Sequence, residues 1–215
     1  MTKFVWERTF THLEEPVLEL SIQRPRFSDR SRPARRMERY YAHMTQVLQS
    51  YWTGALFAQA CRALEEARAA SRPFRVWRAW TSWRITEETP EHLSVCLDIW
   101  EDRGGVRPLA ARTAAVWNLR TGLPLRLSDC LSAVPHWRHA VLRELDAQIA
   151  QRLDSGTSLF FPDAARRARA GFTPERFYLK QGRVILFFPM LALGSAAEEI
   201  PVFELPEPLS QNAEE

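Results

Sequence analysis

FYLKQGRVILFFPMLALGSAAEEIPVFEL, residues 177 to 205, decides how the rest of the chain is read. From Val184 to Ala197 it runs without a charged residue, so it is a membrane segment, a buried strand or a binding surface. A bilayer span needs about 20 apolar residues, and Pro189 and Gly194 interrupt this shorter run. FYLK and RVILFF flank Gln181-Gly182, a two-residue hairpin turn, and IPVFEL supplies a last strand. RVILFF is apolar on both faces, which predicts an inner strand covered on each side. The stretch MLALGSAAEE is too long for a tight turn and reads as a loop of the kind that serves recognition.

Upstream, FVWERTFTH and PVLELSIQRPRF read as two strands separated at Glu14-Glu15-Pro16. A helical pattern opens after Ser31, its expected cap, with Pro33 in the first turn. It is expected to reach Ala70 before Pro73 stops it, with a kink or break at Gly54. Three β-like runs follow. In RVWRAWTSWRI, Trp77, Ala79, Thr81, Trp83 and Ile85 share one face, and Val76, Arg78, Trp80, Ser82 and Arg84 the other. From Glu91 to Glu101, Leu93, Val95, Leu97 and Ile99 point inward, leaving His92, Ser94, Cys96, Asp98 and Trp100 outward. LAARTAAVWNL makes the third run and completes an antiparallel meander. A second amphipathic helix is predicted over Pro135 to Leu153, closed by Gly156 and followed by the short helix DAARRARAG.

The fold class is therefore α+β: an antiparallel curved sheet, comprising the meander, the C-terminal hairpin and the last strand, packed by a long N-terminal helix and a second amphipathic helix. Residues 1–130 carry the first strands, long helix and meander; 131–205 carry the helix, hairpin and last strand, forming one compact unit with the first. Residues 206–215 read as a frayed tail.

Composition narrows function without naming it. Hydrophobic residues at 46% and charged residues at 26% exclude wholesale disorder. All but Lys3 and Lys180 of the 29 basic residues are arginine. Arg24, Arg26, Arg30, Arg32, Arg35, Arg36 and Arg39 form a local excess opposed by Asp29 and Glu38, either a solvated helix start or a surface for phosphates and anions. No nucleic-acid motif accompanies it, so no nucleic-acid partner is expected. Cys61, Cys96 and Cys130 lack CxxC or His spacing and read as buried thiols. Of the five histidines only His136 and His139 are close, at a spacing of three, without an HExxH carboxylate; no metal or cofactor is expected. The N-terminus shows no secretory signal, so the expectation is either a cytoplasmic protein or one whose leader is missing from this sequence.

No nucleophile elbow or phosphate loop is present, so we expect no enzyme. A hydrolase built on Asp98, Glu101, Asp102 and Arg107 near one glycine turn is the remaining catalytic alternative. The strongest binding signal is aromatic: Trp80 and Trp100, with Arg78 and Arg84 beside them, suit a sugar or a partner side chain, or else a subunit interface.

A family resemblance rests on the order of these pieces. It comprises the pair Gly104-Gly105 after a strand, Asn118-Leu119-Arg120-Thr121-Gly122, Leu125-Arg126-Leu127-Ser128-Asp129, an amphipathic helix, FYLKQGRVILFFP and the closing IPVFEL. From about Pro16 to Leu205 the chain resembles the extracellular domain pair of the RsiV anti-sigma factor, found also in PdaC-type peptidoglycan deacetylases ahead of the catalytic domain. Val106-Arg107 stands where the family often has Ala-His, Met190-Leu191 where it has Tyr-Glu, and Glu198 where it has glycine. The resemblance implies a non-catalytic, extracytoplasmic sensing module, whose partner in the anti-sigma factor is lysozyme. The candidate ligand contacts are Gly104, Gly105, Arg107, Trp80, Trp100, Met190, Leu191 and Glu198, facing a protein or a peptidoglycan fragment. A structural, self-associating cytoplasmic protein, a homo-oligomer, is the alternative.

Overall fold

The computed structural model describes residues 1–206; the last nine residues of the expected tail lie outside them. The chain is α+β, with a mostly antiparallel sheet of six strands and a second sheet of three. Strands β1 (Thr2–His12), β2 (Glu15–Arg26), β3 (Trp77–Glu88), β4 (His92–Asp102), β5 (Leu109–Asn118) and β6 (Leu123–Pro124) lie in sequence order across the larger sheet. β7 (Phe177–Lys180), β8 (Arg183–Phe187) and β9 (Val202–Glu204) form the smaller one. Two compact units divide the chain: Met1–Trp83 with Leu97–Leu109, and Arg84–Cys96 with the residues from Ala110 onward.

In the first unit, β1 and β2 form a long antiparallel ribbon, and β2 then pairs with β3 in parallel over Leu18 to Ser21 and Trp77 to Trp80. The connection is long enough to permit parallel pairing. Helices α1 (Arg32–Tyr51) and α2 (Phe57–Ala69) intervene between β2 and β3, giving a βαβ crossover rather than a hairpin. Ser31 caps α1 as expected, its hydroxyl accepting from the Ala34 amide at 3.3 Å. The break expected at Gly54 is a π-helical turn, Trp52–Leu56, between the two helices. Trp52, Leu56, Ala60 and Leu64 bury against Leu18, Leu20, Ile22 and Ala79. The long helix therefore covers β2 and β3, and the shielding of RVILFF expected from both helices falls to the second one.

In the second unit, β8 is the inner strand of its sheet, buried on both faces as its composition predicts. Val184, Leu186 and Phe188 pack with Val141, Leu145 and Ile149 of α4 (Trp137–Asp154), while Ile185 and Phe187 pack with Cys96 and Tyr178. Gln181 and Gly182, both at positive φ, turn β7 into β8. α4 also satisfies the outer edge of β9: Gln148 and Arg152 donate to the carbonyls of Glu204 and Val202 at 2.7 and 2.9 Å. Two short helices, α3 (Leu127–Cys130) and α5 (Ala164–Gly171), complete this core through Leu127, Ala164 and Ala168.

The outward face predicted for the Glu91 to Glu101 strand is corrected. His92, Ser94, Cys96 and Asp98 are all buried. Periodicity identifies one apolar face but cannot foresee a second layer over the other. Ser94 Oγ accepts from the Leu179 amide at 2.9 Å and from Thr86 at 2.8 Å, and His92 Nε2 lies 2.7 Å from Glu87.

Candidate functional site: an open sheet face

The residues of β2 that alternate with its buried leucines define the opposite face of the first unit's sheet. Register aligns Glu7 with Ser21 and Ser21 with Trp80; the next row aligns Thr9 with Glu19 and Glu19 with Arg78. Hydrogen bonds run along both rows. Ser21 Oγ donates to Glu7 at 3.1 Å, and Arg78 Nε donates to Glu19 at 2.9 Å. Trp80 then stacks on Trp100, ring centroids 5.9 Å apart and planes 9° from parallel. Both tryptophans are half-buried. Beside them lies a shallow groove of about 280 Å³ lined by Glu7, Thr9, Glu19, Ser21, Arg78 and Trp80.

Sequence reading paired Trp80 with Trp100 and placed Arg78 on their face, but it missed Glu7, Glu19 and Ser21. Strand alternation marks these three as outward-facing; no local signal says which tryptophan they meet, because the pairing is set by a crossover.

Gly104, Gly105 and Arg107 lie in the loop after β4, in the same unit. Gly104 takes φ +74°, which an L side chain rarely adopts, and its amide donates to Asp102 at 2.9 Å. Arg103 anchors the loop. Its guanidinium donates to Glu101 at 2.7 Å, Tyr51 at 3.1 Å and Gln59 at 3.2 Å, and the Glu101 bond, foremost, raises its pKa. Val106 and Arg107 at the tip are exposed.

Met190, Leu191 and Glu198 belong to the second unit. Met190 sulfur accepts from the Ala110 amide at 3.2 Å, and Glu198 accepts from the Leu159 amide at 2.6 Å. Between them Leu193 is buried, and Gly194 bridges to Phe160. This segment is pinned along its length; only Leu191 and the short turn beyond Gly194 offer exposed side chains.

The carboxylates of the hydrolase alternative have separate partners. Glu101 accepts from Trp52 Nε1 at 2.9 Å as well as from Arg103; Asp102 accepts from Gly104 and faces Arg75 at 3.5 Å; Asp98 is buried. Among the described residues no group of three or more His, Cys, Asp or Glu is placed to hold a metal ion. Among them, too, no helix is long and apolar enough to cross a membrane.

This α+β architecture is similar to that of two solved proteins. A DUF3298 family protein from Bacteroides fragilis is similar over 95% of this chain and 89% of its own, with TM-score 0.68 and 11% identity. A DUF3298 family protein from Pseudomonas aeruginosa is similar over 97% and 90%, with TM-score 0.62 and 19% identity. At such identities the likeness is one of fold. No protein-family profile and no curated protein matches the chain.

Proposed function

We propose that the protein is a non-catalytic recognition module that takes a cell-wall glycan across the open face of its first unit. The observation that carries this reading is the half-buried Trp80 and Trp100 stack, continued by the polar rows of Glu7, Ser21, Glu19 and Arg78. Indole faces pack against the C–H faces of sugar rings, while bonded carboxylate and guanidinium groups meet hydroxyls. The resemblance to the RsiV extracellular domains supports an envelope ligand. The structural partners already claimed by Glu101 and Asp102 favour recognition over hydrolysis.

Calorimetric titration with peptidoglycan fragments, and in parallel with lysozyme, tests the proposal. Fragments should bind with a change in tryptophan emission, and Trp80→Ala or Trp100→Ala should weaken binding about fivefold or more, since each stacking contact contributes roughly 1 kcal/mol beyond burial. Heat from lysozyme alone would replace the glycan by a protein partner. No heat from either at high micromolar concentration would end the reading.

Self-association has its own support. β1 is an edge strand of eleven residues with Val5 exposed, and long edges pair with other chains. Light scattering showing a concentration-independent monomer would exclude it.

A further inference from the structure

α1 carries charge at the end where a helix least favours it. Arg32, Arg35 and Arg36 occupy its opening turns, Arg39 follows, and the first turn holds no acidic residue. The partial positive charge of a helix N-terminus disfavours cations there. The one carboxylate of α1, Glu38, is engaged by Arg24 at 2.5 Å and by the Phe27 amide at 2.9 Å. At 100° per residue, Arg32, Arg35, Arg39, His43, Gln46 and Ser50 fall on one strip opposite the buried Ala34, Met37, Tyr41 and Thr45, and all six are exposed. Beside this strip runs a second one of Tyr40, Val47 and Tyr51, exposed at 41%, 55% and 38%. Arg26 and Arg30, before the helix, extend the positive end.

We propose that this face of α1 docks on an anionic lipid surface. The arginines of the strip meet headgroup phosphates, and Tyr40 and Val47 enter the headgroup boundary alongside it. A helix of 20 residues, about 30 Å long, presents a strip that can lie along a bilayer plane. A nucleic-acid surface would match the charge but would leave Val47 and the tyrosine strip without an apolar counterpart. Removing the arginines weakens attachment without weakening the fold, because the fold derives no favourable dipole interaction from them.

The test is co-sedimentation of the full chain with vesicles of phosphatidylcholine, with and without phosphatidylglycerol, at low and high salt. The protein should bind only the anionic vesicles. The triple variant Arg32→Gln, Arg35→Gln, Arg39→Gln should bind roughly 100-fold more weakly, from about fivefold per arginine, with an unchanged or higher melting temperature. Val47→Ser with Tyr40→Ser should remove the binding that survives added salt. Equal binding to neutral vesicles, an unaffected triple variant, or tighter binding to duplex DNA than to vesicles would overturn the proposal. A lowered melting temperature of the triple variant would likewise overturn it, by assigning the arginines to the fold.

Discussion

Cys130 is only partly enclosed by area, yet burial, followed by the neighbouring Asp129 and Glu87 charges, pushes its thiol up to about 12. Burial, with Glu65 next, also raises Cys61, and Cys96 is fully enclosed by Tyr178, Ile185 and Phe187. The thiolate is the reactive form, so iodoacetamide at mildly alkaline pH should label the native protein slowly and label all three cysteines promptly in urea; rapid native labelling of Cys130 would contradict this environment. Hydrogen bonds from Arg167 and then Arg166 hold the Asp163 carboxyl below its ordinary 3.8. A depressed value stabilises the fold above the unfolded value, and the contribution is lost as pH falls through the native one. NMR titration should therefore find Asp163 below 3.8, moving upward in Arg167→Gln. Gly194 is a steric matter: a Cβ there would sit 2.6 Å from the Leu159 carbonyl oxygen, which as backbone cannot turn aside. Gly194→Ala should cost about 1–3 kcal/mol, read from the urea midpoint.

Among the elements, those with strong local signals were legible. The Ser31 cap, the hairpin at Gln181-Gly182 and the inner strand RVILFF all follow from residue chemistry within a few positions. Ser31→Ala should lower stability by about 1 kcal/mol in thermal melts, since one helix-end amide loses its acceptor. Gly54 stands in the π turn, where an added methyl would meet nothing within 4 Å, so Gly54→Ala should instead raise stability by about 0.5–1 kcal/mol. β4 was legible on one face only. Leu93, Val95 and Leu97 announce a core, but the burial of His92, Ser94 and Cys96 depends on a layer supplied much later in the chain, whose amide at Leu179 bonds to Ser94.

For the molecule as a whole, each unit has its own core. Trp52 is fully buried in the first, and its indole donates to Glu101, so Trp52→Ala should cost about 3–5 kcal/mol and unfold the region carrying the tryptophan stack; near-ultraviolet circular dichroism would report it. The candidate site was only half legible. Trp80 and Trp100 declared themselves by residue type, whereas Glu7, Glu19 and Ser21 reached them only through pairing across the helical crossover.

The amino-acid sequence by itself determined the α+β class, the order of helices and strands, and the double-sided burial of RVILFF, because periodicity, caps and turn residues act over a few positions. Tertiary structure alone decided the parallel pairing of β2 with β3, the separation of the C-terminal strands into their own sheet, and which polar side chains share a face with the tryptophans. Those outcomes depend on hydrogen bonds and packing between residues far apart in the chain, where no short-range pattern selects one partner over another.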